Sequence, residues 1–459
     1  MAWLIFFVLV LSVFGQQQQS FVSVKDPVIA FTHARVIDGT GSPAREDQLV
    51  VIDNGKIRLP QSVPSGAKVI DLTGQTLIPG LVGMHQHLFY PSGGGVPVYA
   101  EHAASFPRLY LACGITTMRT GGSLEPYTDL EIKRQIESGR LVGPHIDVTG
   151  PYLEGPGSFA VQMHELSGPE DARKLVNYWA DEGVTSFKAY MHITADELKA
   201  AAEEAHKHGL KITGHLCSVG FREAAALGID NLEHGLIVDT EFTPGKKPGE
   251  CPAQRDTQAE MANLDMTRGP VVELIRDLVA HRVAITSTLS VFEAMIPGRP
   301  PTQQRVLDAM SSLAAESYQK AKSRGGDAAT REMPMKKEME FERTFVKAGG
   351  LLMGGADPTG NGGALAGFGD QRNIELLVEA GFTVEEAIRI YSLNGAQYLG
   401  RDSQIGSIAE GKNADLVVIA GNPAKQAADI EKVTTVFRDG VGYDSAKLIQ
   451  SVSHMVGMH

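Results

Sequence analysis

Short apolar, β-branched runs recur along most of this chain, and at or just beyond the end of several of them stands a residue able to hold a metal. His85 and His87 close LIPGLVGMHQH, Lys188 lies in GVTSFKAYMHIT, His215 in KITGHLCS, His234 in DNLEHGL and Asp357 in LLMGGADPTG. Parallel strands set in a ring bring their carboxyl ends to one mouth, so residues far apart in sequence converge in a fold of that kind. His85 and His87 are two apart, and because side chains alternate along a strand both rings point the same way. Taken singly, each of the six has a plainer reading: a His satisfied in the core, a strand-end Lys reaching solvent, an Asp-Pro turn. Their order and shared position outweigh that reading and point to one two-metal site.

Between these residues strand and helix alternate. ARKLVNYWADEG reads as a helix before the strand GVTSFKAY, ADELKAAAEEAHKHG as a helix stopping at Gly209 before LKITGHL, and FREAAALG leads into IDNLEHG. The repetition predicts an α/β fold, a closed (β/α)8 barrel of the TIM kind over residues 78–400. A dinucleotide-binding sheet is disfavoured because no Gly-x-Gly-x-x-Gly follows the first strand. Residues 27–77 alternate short β-rich runs with Gly and Asn turns, and residues 401–446 do so again. One small β-sandwich built from both terminal segments accounts for both. The stretch from His234 to Asp357 is long for one and a half βα units. It holds TPGKKPGECP, a strand-like VAITSTL, IPGRPP and two charged helical segments, read as insertions above the barrel mouth.

A chain of 459 residues, 43% hydrophobic and 21% charged, is long enough for a barrel and a smaller domain. A net charge of −12 without any basic block argues against a nucleic-acid partner and reads as ordinary solubility. Residues 1–15, MAWLIFFVLVLSVFG, form an apolar run ahead of four glutamines and read as an export signal cleaved after Gly15. No basic residue precedes the run, so an uncleaved anchor is the alternative; once it is removed no membrane association is expected. The cysteines are Cys113, Cys217 and Cys251, an odd number with no paired spacing, and no disulfide framework follows from them. Cys113 and Cys217 read as small core residues, Cys217 lying two past His215.

The segments TLIPGLVGMHQH, GVTSFKAYMHIT and GSIAEGKNADLVVIAGNP, together with the six residues, carry a resemblance over nearly the whole chain. The chain resembles the metal-dependent amidohydrolase superfamily in its binuclear, carboxylated-lysine branch. It is similar within that branch to imidazolonepropionase-like and prolidase-like members, a group with dipeptidases, carboxypeptidases and ochratoxin-type amide hydrolases. GVTSFK is also similar to hydantoinases and dihydroorotases, so the resemblance leaves the substrate open. It implies the barrel with its terminal β-sandwich and two divalent ions. It also allows a homo-oligomer without marking an interface. Zinc suits the imidazole donors, although other divalent ions fit them.

On this reading His85, His87 and Asp357 hold the more buried ion, and His215 and His234 the more exposed one. A bound ion lowers the pKa of water from about 15.7 toward about 7, which supplies a hydroxide shared between the two metals. Lys188 as an ammonium would be repelled by the ions. Desolvation pushes its amine toward neutrality, and carbon dioxide then gives an N6-carboxylated lysine whose two oxygens each bind one ion. Asp357 would act as general base and then acid, and Tyr190, two past Lys188, is a candidate donor to the oxyanion. Tyr152, His164 and His192 are further pocket candidates. One departure stands out: in TTMRTGG, Arg119 is kept but Thr120 replaces an acid that relatives often carry.

The leading expectation is hydrolysis of a small linear, peptide-like amide, as by a dipeptidase, a carboxypeptidase or an N-acyl amino acid amidase. Cyclic amides are the alternative within the same chemistry. A mononuclear deaminase would have no use for Lys188, and TGHLCS offers no acid for it. A non-catalytic metal-binding scaffold would need neither the general base nor the bridging carbamate.

Overall fold

Nine short parallel strands form two ordered sets in the computed structural model, which describes residues 20–92, 98–323, 327–360 and 364–457. The proposed signal, residues 1–15, lies outside the described residues. The strands β1 (Leu81–Gln86), β2 (Ile115–Thr120) and β3 (His145–Asp147) pair in the order β3-β2-β1. The second set, β4 (Thr149–Leu153), β5 (Ser186–Ala189), β6 (Lys211–Gly214), β7 (Asn231–Glu233), β8 (Ala284–Ser287) and β9 (Leu352–Gly354), pairs in chain order. Only Val148 separates β3 from β4, so one extended segment passes from the first set to the second. There the Thr149 N–H donates to Thr120 Oγ at 2.8 Å and Ser123 bridges Pro151. At the other edge the Asp357 N–H donates to the His85 carbonyl at 3.0 Å. The two sets therefore meet at both edges.

Every residue of β1, β2 and β5 is buried, as expected of parallel strands covered on both faces. The connecting helices start and stop where local chemistry tells them to. Pro169–Glu182 carries Pro in its first turn and ends at Gly183 with φ 98°. Ala195–Lys207 opens on a capping box between Thr194 and Glu197.

Both terminal segments join one nine-stranded sheet. Leu416–Ala420 pairs antiparallel with Gln75–Pro79, Val417 opposite Ile78, and so stitches the end of the chain to its beginning. The sheet carries its own apolar cluster, in which Phe31 meets Phe437 edge-on at 5.1 Å. Removing such a ring would cost about 3–5 kcal/mol. The chain beyond residue 446 is also engaged. Helix Ser445–Gln450 packs on Ser105–Ala112, and Val456 bridges Met310.

Two expectations need correction. Between β7 and β9 lie six α-helices among the described residues, not two: Gln254–Met261, Pro270–Ala280, Leu289–Glu293, Gln304–Ala309, Ser312–Lys322 and Ala328–Lys347. Leu289–Glu293 and Gln304–Ala309, of 5 and 6 residues, are too short to show a helical period in sequence. Cys217 and Cys251 form a disulfide with Cα atoms 5.0 Å apart, and Cys113 remains free and buried. The loop after residue 240 folds back over the end of β6, a tertiary contact that a spacing of 34 residues does not announce. No described helix is long and apolar enough to cross a membrane.

Candidate metal centre and active site

The strand ends bring all six sequence-derived residues around one cavity of about 210 Å³. His87 Nε2 lies 3.1 Å and His85 Nε2 3.5 Å from Asp357 Oδ1. One donor atom from each of these three buried residues falls within 4.8 Å of the other two. From β6 and β7 come His215 and His234, their rings 4.5 Å apart, with His234 4.7 Å from His85. Lys188 Nζ, at the end of β5, is 3.9 Å from Glu233 Oε1.

This crowding needs residues without side chains beside His85. A Cβ on Gly121 would stand 2.3 Å from His85 Cδ2, and one on Gly355 2.5 Å from the His85 backbone nitrogen, so the glycine of RTGG admits the ring and that of MGGAD the backbone that carries it. Two of the candidate ligands themselves sit in left-handed backbone, His234 at φ 69° and Asp357 at φ 48°. Such conformations cost about 1–3 kcal/mol each and gather where function demands a particular side-chain direction.

The electrostatics suit a cation. Burial lowers the pKa values of His87, His234 and His215, the last to about 3, and so disfavours their cationic forms. Lys188 is pushed down to about 8, by burial first and by Arg119 second, against the pull of Glu233 and Asp357. Its amine thus gives up its proton more readily than that of an exposed lysine. Burial would raise Asp357, but His85, His87 and His234 overcome it and hold the carboxylate well below its ordinary range. His85 donates from Nδ1 to Glu233 Oε2 at 2.7 Å, so Nε2 turns a lone pair toward Asp357 Oδ1. A lone pair facing a carboxylate needs a positive charge between them, and a divalent ion fits this donor set.

The other candidates divide. Tyr190 lines the cavity with its ring 5.1 Å from His215, and Tyr152 lines it 4.9 Å from Tyr190. His164 is exposed and paired with Asp171 at 3.0 Å, away from the centre. His192 does not line the cavity either; its Nδ1 is 3.5 Å from Glu154 Oε2.

The amidohydrolase family model matches residues 76–244 and 355–441, more than half of the chain. The chain belongs to the amidohydrolase family. Its chemistry is hydrolysis of amide bonds, in a family that is generally metal-dependent. A putative prolidase from Bifidobacterium longum is similar in structure, with a TM-score of 0.66 at 23% identity over 93% of this chain and 98% of that one. A bottromycin amidohydrolase gives 0.68 at 18% over 96% of each chain. The A. niger ochratoxinase gives 0.64 at 17% over 91% of this chain and 95% of that one. At these identities the likeness shows the fold. No curated protein matches the chain.

Residues 245–354, between the matched parts, supply part of the wall: Gln254, Val291, Phe292 and Met295 line the cavity. Sequence reasoning missed the buried support beneath the centre. Glu233 accepts from His85 and also from Arg119 Nη2, at 2.8 Å, and from Thr213. Arg119 further donates to the Met84 carbonyl and Asn231 Oδ1. Its counter-charge is therefore Glu233, and Thr120 is free to take the Thr149 N–H instead of supplying an acid. The signal was present: Asn231 and Glu233 share one face of β7, where a core strand should be apolar.

Proposed function

We propose that this amidohydrolase cleaves linear, peptide-like amide bonds with two divalent ions, zinc being the best match, at the mouth of a closed (β/α)8 barrel joined to a β-sandwich of both termini. The meeting of the strand sets at both edges supports the barrel. His85, His87 and Asp357 would hold one ion, His215 and His234 the other, with N6-carboxylated Lys188 between them. When bound, the ions lower the pKa of water and polarise the substrate carbonyl.

The rest falls to side chains. Asp357 accepts a proton from the attacking water and returns it to the departing amine nitrogen. The Tyr190 hydroxyl donates to the carbonyl oxygen as charge gathers there. Glu233 holds the His85 ring by its Nδ1, and Arg119 balances the Glu233 charge. Tyr99, Tyr152 and Phe292 wall the cavity and keep bulk water out.

The observation that carries this reading is the buried convergence of His85, His87 and Asp357 on one point, with a general base among the ligands. Structural neighbours named a prolidase, a Xaa-Pro dipeptidase and an ochratoxinase support a peptide-like substrate. We also propose export with cleavage after Gly15, supported by the apolar residues 1–15 and by the Cys217–Cys251 bridge, which belongs in an oxidising compartment. The test is metal analysis of the purified chain beside a screen of N-acyl amino acids, Xaa-Pro and Xaa-Arg dipeptides and cyclic amides, with and without chelator and bicarbonate. We expect two ions per chain and chelator-sensitive cleavage of linear amides that bicarbonate helps to restore. A chain without metal, or one cutting cyclic amides in preference, overturns the reading.

A further inference from the structure

Beside the catalytic cavity lies a second, of about 230 Å³, and the two share His215, Val238 and Gln254. His215 thus stands in the partition between them. The far side is apolar. Its walls include Met191, Leu216 and Ile237, and the Cys217–Cys251 bridge, whose sulfurs carry no titrating thiol. The two threonines that line it have their hydroxyls engaged in the protein: Thr240 Oγ donates to the Cys217 carbonyl at 2.6 Å, and Thr257 Oγ pairs with Thr243 Oγ at 3.0 Å. Among the described residues, none that lines this second cavity carries a permanent charge. Across the cluster the catalytic cavity is aromatic instead, with Tyr99 against Phe159 at 5.6 Å and Tyr152 against Tyr190 at 4.9 Å. Two walls of different character thus meet at the cluster, aromatic on one side and aliphatic beyond His215.

We infer that the second cavity binds an uncharged aliphatic arm of the substrate, so that the enzyme takes linear amides with an aromatic group on one side of the scissile bond and an uncharged aliphatic group on the other. The inference rests on the amide hydrolysis proposed above and deepens it. A carboxylate or ammonium in this pocket would lose its water with no counter-charge to replace it. An alkyl chain there gains about fourfold in binding for each methylene it buries.

Two series test this. One is benzamides of methylamine through hexylamine, and the other is anilides of acetic through hexanoic acid, each with an analogue ending in a carboxylate. They are run as substrates of the metal-loaded enzyme and, by calorimetry, as ligands of the metal-free chain. In one series kcat/KM should rise about fourfold per carbon until the pocket is full, and the terminal carboxylate should cancel the rise. Thr257→Met, which fills the pocket, should collapse the ratio of the longest to the shortest substrate. Ile237→Ala, which enlarges it, should move the optimum to longer chains. Flat chain-length dependence in both series, a preference for the carboxylate analogues, or variants that change all lengths alike would overturn the proposal. If the amides bind the metal-free chain with the expected length dependence and none is cleaved by the loaded enzyme, the hydrolytic reading fails and the pocket stands. Cleavage with flat binding removes the pocket alone.

Discussion

Glu233 and Glu342 are both shut away from water near neighbouring strands, and they end in opposite states. Burial by itself would raise the pKa of each. Around Glu233 it is overcome by His85, Lys188 and Arg119, which hold the carboxylate well below its ordinary range. Glu342, on the helix Ala328–Lys347, has only the Ser287 hydroxyl against burial and is pushed up to about 8. Glu338, one turn earlier, is raised as well, by burial and by Glu342, although Ile237 N–H donates to it at 2.7 Å. Burial therefore neutralises an acid in this molecule unless cations are built around it. Such cations stand at two places: Arg119 beside Glu233 under the candidate metal centre, and Arg299 and Arg372 beside the equally buried Glu293.

The sharpest way to break this contrast is at the centre itself. Asp357→Asn keeps the shape and removes the base, and hydrolysis of a linear amide should fall by about 10²–10⁴-fold. A variant as active as the parent in steady-state assays would end the proposed role. Glu233→Gln should come next. It leaves Arg119 buried without its counter-charge, at a cost of about 3–5 kcal/mol, and loosens His85, so that metal affinity drops about 10–100-fold. Titrating zinc against a competing chelator, alongside urea unfolding of the metal-free chain, separates these two losses. Replacing Cys217 and Cys251 together by Ser should cost about 2–4 kcal/mol in the same unfolding experiment, since the bridge ties the inserted loop to the strand end that bears His215.

Glu342→Gln is the mild counterpart of the Glu233 change. Because the folded value near 8 lies above the ordinary carboxyl value of 4.5, the stability that Glu342 contributes is fully present below about 4.5 and is lost as pH rises through 8. The melting temperature of the parent should therefore decline more between pH 5 and pH 9 (roughly the span set by that shift) than that of the variant. Parallel melting curves across this span would contradict the contrast drawn here.

How much of this was legible in the chain depended on how local the cause was. The six candidate ligands could be read because each ends a strand-like run, and their convergence needs only parallel strands whose carboxyl ends lie together. Helix boundaries with strong caps, such as Thr194 with Glu197, were equally local. The Cys217–Cys251 bridge and the walls of the cavity were not, since they depend on how residues 240–295 fold back over the strand ends. Glu233 lies between these cases. Its neighbour His234 drew attention, whereas its own role depends on Arg119, 114 residues away.

The bond between His87 and Asp357 spans 270 residues, and the Asp357 N–H also closes onto His85. A chain leaving the ribosome exposes its His-x-His pair long before β9 exists, and until β9 arrives the pair has neither its carboxylate nor its closing hydrogen bond. The last strand thus completes the donor set: a chain that stops short of β9 lacks Asp357, and with it one of the three clustered donors.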